Sequence, residues 1–342
     1  MKSPLLFCLA LCLVGWIACD QTPPPVNPSP SLENPGFFIL NEGNFQRGNA
    51  SLSFFDRSTD TLFDGVYEGV NQENLGDVLQ SMSFFEGRAY LVVNNSQKIE
   101  VVDPLTLESL GRIDGMTSPR YFLGINPQKD YVSDLFAGAL SVIDLENQSV
   151  MGKIELPGWT ERMALVGNTA LICNYDQPYL YLVDVQEDEI TDSIAIGPRG
   201  EGIVVDKRGK VWVSTGAGIS NNDPGALYEI DPQTWRVVQE LRFPMGAAPS
   251  ELQINAQGDS LFWLNQGVFA MNVQATALPT EPLIPEDGLF YGLGVDPASG
   301  DVLVADAIDF VQRGVILRHS SAGEFLQEFR AGIIPGAFAF RP

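Results

Sequence analysis

A short pattern recurs through most of the chain: an apolar, β-rich run that ends in an acidic or polar residue and is followed by a turn. The copies end at Asp56, Asp103, Asp144, Asp184 and Asp231, with weaker copies at Asn272 and His319. The spacings are 47, 41, 40, 47, 41 and 47 residues. A repeat of about 44 residues is typical of the four-stranded blade of a β-propeller. Asp suits the position because its carboxylate accepts N–H bonds from the turn that follows.

The repeats can be divided into strands, named A to D from the inside of a blade outward. In the fifth repeat, strands are predicted at residues 202–206, 210–215, 226–231 and 236–243. The first repeat lacks a strand A, and residues 337–340 form a strand-like segment with no blade of its own. We therefore predict an all-β, seven-bladed propeller of four-stranded blades, closed by pairing of the N- and C-terminal strands. Six or eight blades are the alternatives.

The first residues have the features of a targeting signal. Lys2 precedes an apolar run from Leu5 to Ile17, which is shorter than the roughly 20 residues of a membrane span. Ala18 before Cys19 resembles a bacterial lipobox, which implies removal of residues 1–18 and lipidation of Cys19. An ordinary signal peptide or an uncut anchor is the alternative. Proline-rich residues 19–35 are expected to form a semi-rigid stalk, and residues 36–342 the propeller.

Composition excludes several classes of function. The chain has 20 Lys and Arg against 43 Asp and Glu, a net charge of −23, so we expect no nucleic-acid partner. His319 is the single histidine, which leaves little material for His-based catalysis or metal binding. We expect no catalytic residue, metal or cofactor, and a protein that is not an enzyme. Cys173, in an apolar strand, is predicted to be an inert core thiol.

The B–C and D–A loops of a propeller lie on one face, around the mouth of the central channel, where a ligand is expected to bind. Strand B ends in a polar residue in each repeat, and together these predict a hydrogen-bonding ring. The residues are Asn41, Asn94, Asp134, Asn174, Thr215, Asn265 and Asp306. The alternative is that each residue only caps its own turn.

Other candidate ligand-binding residues lie in the loops themselves. The long B–C loops of repeats one, five and seven contribute Asn44, Phe45, Asn221 and Phe310. Positions in or near the other loops contribute Arg120, Tyr121, Trp159, Arg162, Tyr175, Arg199, Glu201 and Tyr291. Aromatic rings beside charged groups suit a flat, polar-edged molecule such as a corrinoid or a glycan. Surface flexibility or packing between blades is the alternative. A minor hypothesis is a cation held by Asp134, Glu161, Glu201, Glu251 and Asp306.

One segment carries a more specific resemblance. The opening sequence FILNEGNFQRGNASLSFFD (residues 38–56), together with the repeat, resembles YncE-like seven-bladed propellers. It resembles in particular the lipid-anchored propellers of Bacteroidota envelopes, which include BtuG-type cobalamin-capturing proteins. The resemblance implies a lipid-anchored protein of the outer membrane or cell surface. Such a protein captures a cobamide and passes it to a TonB-dependent transporter. The alternatives are a scaffold that binds glycans or partner proteins, and a metal-dependent hydrolase or lactonase.

Overall fold

The computed structural model describes residues 30–216, 224–247 and 249–342, and these residues form seven four-stranded antiparallel sheets. Each sheet is one propeller blade. The strands A, nearest the channel, are Pro335–Ala339, Leu79–Phe85, Pro119–Asn126, Thr160–Val166, Gly200–Val205, Ser250–Ile254 and Phe290–Val295. The strands B are Gly36–Asn41, Arg88–Val93, Lys129–Asp134, Thr169–Asn174, Val211–Thr215, Ser260–Leu264 and Val302–Asp306.

The two outer strands of each blade follow in the same order. The strands C are Ser51–Asp56, Lys98–Val102, Ala139–Asp144, Tyr179–Asp184, Ala226–Asp231, Gly267–Asn272 and Arg313–His319. The strands D are Thr61–Phe63, Ser109–Ile113, Ser149–Glu155, Glu189–Ala195, Arg236–Arg242, Ile284–Pro285 and Phe325–Ile333. Strand D of blade 6 is therefore only two residues long.

The two ends of the propeller domain pair with each other in blade 1. Strand Pro335–Ala339 lies antiparallel to strand Gly36–Asn41, with Ile39 opposite Phe338. Each strand A also contacts the strands A of both neighbouring blades, all the way around the ring. The predictions of seven blades and of closure by the terminal strands are thus confirmed.

The core is divided into seven apolar clusters, one between each pair of adjacent blades. Strands B are buried on both faces because each blade lies between two others, which explains their nearly continuous apolar sequences. The cluster at the seam contains Phe37, whose ring stacks on Phe55 at 5.1 Å and meets Phe338 edge-on at 6.2 Å. Aromatic packing therefore supports the closure.

The recurring Asp has the predicted role in the turn between strands C and D. Asp103 accepts hydrogen bonds from the backbone N–H groups of Leu105 at 2.8 Å and Thr106 at 3.0 Å. The equivalent bond from the second residue of the turn forms at Asp56, Asp144, Asp184, Asp231 and Asn272. His319 ends strand C of blade 7 and is buried there.

Two short helices interrupt the strand pattern that the sequence predicts. Helix α1 spans Val66–Asn71 in the connection from blade 1 to blade 2, and a 3-10 turn spans Asn94–Ser96. None of the helices in the described ranges is long and apolar enough to cross a membrane. The predicted signal sequence, Cys19 and most of the stalk lie outside the described residues.

Candidate ligand-binding site

A polar cavity of about 390 Å³ lies at the mouth of the central channel. It is built mainly by the first residues of strands A from six blades, which converge because every blade points its inner strand at the axis. The first B–C loop adds Glu42 and Phe45. The other charged, polar or aromatic side chains around it are Gln80, Asn94, Arg120, Tyr121, Arg162, Ser250, Glu251, Phe290 and Tyr291.

Two arginines of the mouth are paired with carboxylates. Arg120 donates to Oε1 of Glu161 from Nε at 3.1 Å and from Nη2 at 2.9 Å. Arg162 donates to Glu251 at 2.7 Å. Such charge-assisted bonds are short and directional, so they fix the orientation of both guanidinium groups. Burial disfavours the charged form of Arg162, but Glu251 and other neighbours outweigh it and raise the pKa.

Aromatic rings separate the arginines. The guanidinium of Arg162 lies 4.7 Å from the centre of the Tyr121 ring, and that of Arg120 lies 5.6 Å from the same ring. Arg120 also lies 5.5 Å from the ring of Trp159. Cations at these distances are attracted to the ring face. Burial raises the pKa of Tyr121 to about 12, so its hydroxyl stays protonated.

The stack continues around the ring from blade 4 to blade 5. Trp159 stacks on Tyr175 with centroids 4.3 Å apart, and Arg199 lies 4.8 Å from the Tyr175 ring and donates to its hydroxyl. Cations and rings thus form one connected row, which we call the cation–aromatic stack: Arg162, Tyr121, Arg120, Trp159, Tyr175 and Arg199. The stack gives this side of the mouth rigid, flat and polar-edged surfaces.

The opposite side of the mouth is formed where the chain closes. The hydroxyl of Tyr291 donates to Glu42 at 3.0 Å. Burial raises the pKa of Glu42 to about 7. The ring of Tyr291 meets that of Phe310 edge-on at 5.1 Å, and the Asn44 amide donates to the carbonyl of Phe310 at 2.9 Å. The first and seventh B–C loops are therefore in direct contact.

A second carboxyl group of the mouth region also titrates near neutral pH. Burial raises the pKa of Glu201 to about 7, with contributions from the charges of Glu161 and Glu251. A carboxyl with such a pKa can accept a hydrogen bond when ionised and donate one when protonated. The site therefore offers both donors and acceptors to a ligand.

The structure brings many of the predicted residues together. Phe45, Asn94, Arg120, Tyr121, Arg162 and Tyr291 line the cavity. Trp159, Tyr175 and Arg199 join it through the cation–aromatic stack, and Asn44 and Phe310 through Tyr291. Asn265 lines a neighbouring cavity of about 200 Å³ at the start of strand A of blade 6. Asn221 lies outside the described residues.

The polar residues that end the strands B are mostly occupied in bracing turns. Asp134 is fully buried, and its carboxylate accepts four backbone N–H bonds, from Thr117, Ser118, Phe136 and Ala137. These bonds tie the B–C loop of blade 3 to the connection from blade 2. The capping alternative therefore describes this residue.

The same arrangement holds in other blades. Asn174 accepts from the N–H groups of residues 176 and 177 and donates to the Pro157 carbonyl at 2.9 Å. Asp306 accepts from Leu289 and Ile308, and Asn41 accepts from the N–H of residue 332 at 2.9 Å. These side chains hold the loops in place, as the capping alternative describes.

Sequence reasoning missed Glu42 and Gln80, whereas it placed Glu251 among the charged residues of the D–A loops and among the cation ligands. Glu42 directly follows the polar residue that ends strand B in the opening segment, which is the one signal that could have found it. Gln80 accepts a hydrogen bond from Arg120 and donates to the Tyr121 hydroxyl at 3.4 Å. Its role depends on the packing of blade 2 against blade 3, which no local pattern records.

In the part of the chain that the structure describes, no group of three or more His, Cys, Asp or Glu side chains is placed to hold a metal ion. Four of the five acidic residues suggested for a cation are engaged elsewhere: Glu161 and Glu251 pair with arginines, and Asp134 and Asp306 accept from turns. Cys173 is buried, and burial raises the pKa of its thiol far above the ordinary value.

Comparison with known protein families identifies the family of this chain. Residues 35–322 match the family described as Domain of unknown function (DUF5074). The chain belongs to this family. No curated protein matches the sequence.

Solved structures share the fold at low sequence identity. A quinonprotein alcohol dehydrogenase-like protein from Bacteroides thetaiotaomicron has a TM-score of 0.69 and 14% identity over 90% of this chain and 78% of its own. A proposed 6-phosphogluconolactonase from Bacteroides fragilis has a TM-score of 0.69 and 13% identity over 92% and 100%. Hydrazine synthase from Kuenenia stuttgartiensis has a TM-score of 0.62 and 15% identity over 73% and 85%. At these identities the likeness concerns the fold alone.

Proposed function

We propose that this DUF5074 protein is a lipid-anchored binding protein of the outer membrane or cell surface, and not an enzyme. It captures a small, bulky, polar-edged nutrient at the mouth of the channel and passes it to a TonB-dependent transporter. A cobamide is the proposed ligand, from the resemblance of the opening segment to BtuG-type propellers. The observation that carries the proposal is the mouth itself, where ordered charge pairs and aromatic rings converge around one cavity.

Three side chains of the mouth are suited to binding a ligand. Arg120 and Arg162 are held by carboxylates, and Tyr121 has a raised pKa, so these groups are built to hydrogen-bond rather than to transfer protons or attack. Paired donors and acceptors suit a ligand that carries amide groups, each of which both donates and accepts. The peripheral amides and flat ring of a corrinoid have this character.

The N-terminal segment lies on the face opposite the mouth, and this position supports capture of a ligand at the mouth. Residues 32–35 meet the propeller on the face opposite the mouth, where Arg341 donates to the carbonyls of Leu32 and Asn34. On the same face the N–H of Arg57 donates to the Pro35 carbonyl at 2.9 Å. A lipid on Cys19 would precede this docked segment, so the segment leaves the mouth open to a ligand.

Titration calorimetry with cyanocobalamin tests the proposal. The protein is the mature chain from residue 19 with Cys19→Ser, which carries no lipid. We expect saturable binding with one site at micromolar concentration or below. No heat at these concentrations would defeat the cobamide version, and binding of an oligosaccharide in a parallel titration would favour the glycan alternative.

A double variant tests whether the ligand binds at the mouth. Replacing Arg120 and Arg162 by Lys keeps both charges but removes the planar guanidinium groups that form the stack, so we expect at least about tenfold weaker binding. The control is Arg112→Lys, since Arg112 forms an exposed ion pair with Asp114 on an outer strand. Equal loss in both proteins would place the ligand elsewhere.

A further inference from the structure

Four exposed apolar side chains of the mouth face lie together at the seam between blades 7 and 1, while Phe136 and Met245, also exposed, lie on this face at other blades. Phe45, Leu289, Phe310 and Val311 are 65%, 39%, 41% and 66% exposed, and we call them the apolar lip. Their loops are joined by two hydrogen bonds, because Asn44 donates to the Phe310 carbonyl and the N–H of Ala307 donates to the Leu289 carbonyl at 3.0 Å. The lip is therefore one surface.

The apolar lip is continuous with the charged cavity. Phe45 lines the cavity. Tyr291 lines it as well, and its ring meets the ring of Phe310 edge-on at 5.1 Å. A ligand that fills the cavity and is larger than it would extend over neighbouring surface, and the lip is an apolar surface that directly adjoins the cavity.

The loop that carries Phe310 and Val311 is held in a strained conformation. Ile308 and Phe310 both have φ of 58°, in the left-handed region that β-branched and bulky residues rarely adopt. Side-chain oxygens hold it there: Asp306 accepts from Ile308 at 2.7 Å, and Asp309 accepts from Val311 at 2.9 Å. Strained backbone persists where surrounding contacts enforce it, and it clusters at ligand-binding sites.

We infer that the apolar lip binds a flat apolar face of the ligand while the cavity binds its polar part. The ligand class is therefore an amphipathic molecule with a planar ring system, larger than the cavity. This inference rests on the proposed function, because it requires that the mouth binds a small molecule. It assigns the lip a contact role that loop flexibility alone does not supply.

The test uses two probes, so that the lip is examined even if the cobamide proposal fails. The first is anilinonaphthalene sulfonate, a planar aromatic dye with one anionic group, followed by fluorescence. The second is cyanocobalamin, followed by calorimetry. Both are titrated into the mature chain with Cys19→Ser and into its F310S/V311S variant.

The matched control is F325S/L326S. Phe325 and Leu326 begin strand D of the same blade and are 58% and 49% exposed, but they lie on the opposite face. Because all four side chains are exposed, we expect both variants to unfold close to the wild-type temperature, and this is checked first.

For the lip variant we expect dye binding to weaken by about tenfold or more, from the loss of two apolar contacts. The control variant should bind like the wild type. Dye binding that is absent from the wild type, or equal in the two variants, would contradict the proposal that the apolar lip binds a ligand. If the lip variant retains full cobalamin binding, the proposal that the apolar lip contacts the ligand is wrong, whereas the proposed function is supported. Lip-dependent dye binding without any cobalamin binding would support the lip and overturn the cobamide proposal.

Discussion

The hydroxyl of Tyr291 on blade 7 donates to the carboxyl group of Glu42 on blade 1, at 3.0 Å, across the seam at which the ring closes. The bond joins strand A of blade 7, Phe290–Val295, to the B–C loop of blade 1, which follows strand Gly36–Asn41. It therefore couples the closure of the fold to the wall of the binding cavity.

Glu42 gives the stability of the protein a pH dependence. Burial raises its pKa in the folded state to about 7 from an ordinary value of 4.5. Between these values the folded state binds a proton that the unfolded state lacks, so this contribution to the free energy of unfolding is lost as pH rises through 7. We expect Glu42→Gln to lose less stability than the wild type between pH 5 and pH 8, measured by urea unfolding.

The control for this prediction is Glu108→Gln, because Glu108 is exposed in the turn of blade 2. Its unfolding profile should run parallel to that of the wild type over the same pH range. A Glu42→Gln profile that also runs parallel would show that Glu42 titrates with an ordinary pKa in the folded protein.

Closure of the ring depends on aromatic packing at the seam. Phe37 is 1% exposed and contacts Phe55 and Phe338, so Phe37→Ala leaves a cavity between blades 7 and 1. We expect a loss of about 3–5 kcal/mol in the free energy of unfolding. Leu326→Ala, which changes an exposed side chain of blade 7, should cost less than about 0.5 kcal/mol. Similar small losses in both would mean that the seam is loosely packed.

Asp134 is predicted to stabilise the fold rather than to bind a ligand. In Asp134→Asn, the amide nitrogen cannot accept the backbone N–H bonds that one carboxylate oxygen now accepts. We expect a loss of about 2–4 kcal/mol, measured by chemical denaturation. The exposed change Asp114→Asn is the control. A fully stable Asp134→Asn protein with weakened ligand binding would restore the direct-contact hypothesis.

Arg162 lowers the pKa of Glu201, and its removal should be visible at that carboxyl group. The positive charges of Arg199 and Arg162 oppose the burial and the negative charges that raise the pKa of Glu201 to about 7. In Arg162→Met we expect this pKa to rise further, measured by carboxyl NMR titration. Arg112→Met should leave it unchanged, and an unchanged value in both variants would contradict the proximity of these charges.

Much of the fold could be predicted because its signals are local. The carboxylate of Asp103 accepts from N–H groups two and three residues away, and the first of these bonds recurs at the turns between strands C and D of blades 1 to 6. Closure by the C-terminal strand could also be predicted, because the first repeat lacks a strand A and the C-terminal segment has no blade of its own. Helix α1 was not predicted, because six residues carry too little of a helical period to be recognised.

The site could be predicted only in part because its contacts are not local. Arg120 and Glu161 are 41 residues apart, and their bond depends on how blade 3 packs against blade 4. A pattern of loops identifies which residues share a face, but not which carboxylate takes which arginine. For the same reason the sequence could not show that Asn41, Asp134 and Asn174 would be buried in turns, while Glu42 would line the cavity.

Hydrogen–deuterium exchange with and without cyanocobalamin tests most directly that the mouth is the ligand-binding site. We expect slower exchange in the loops around the mouth, at residues 42–50, 117–121, 158–162 and 289–291, and no change in the turns of the opposite face. Slower exchange confined to the opposite face, or no change anywhere at saturating cobalamin, would contradict it.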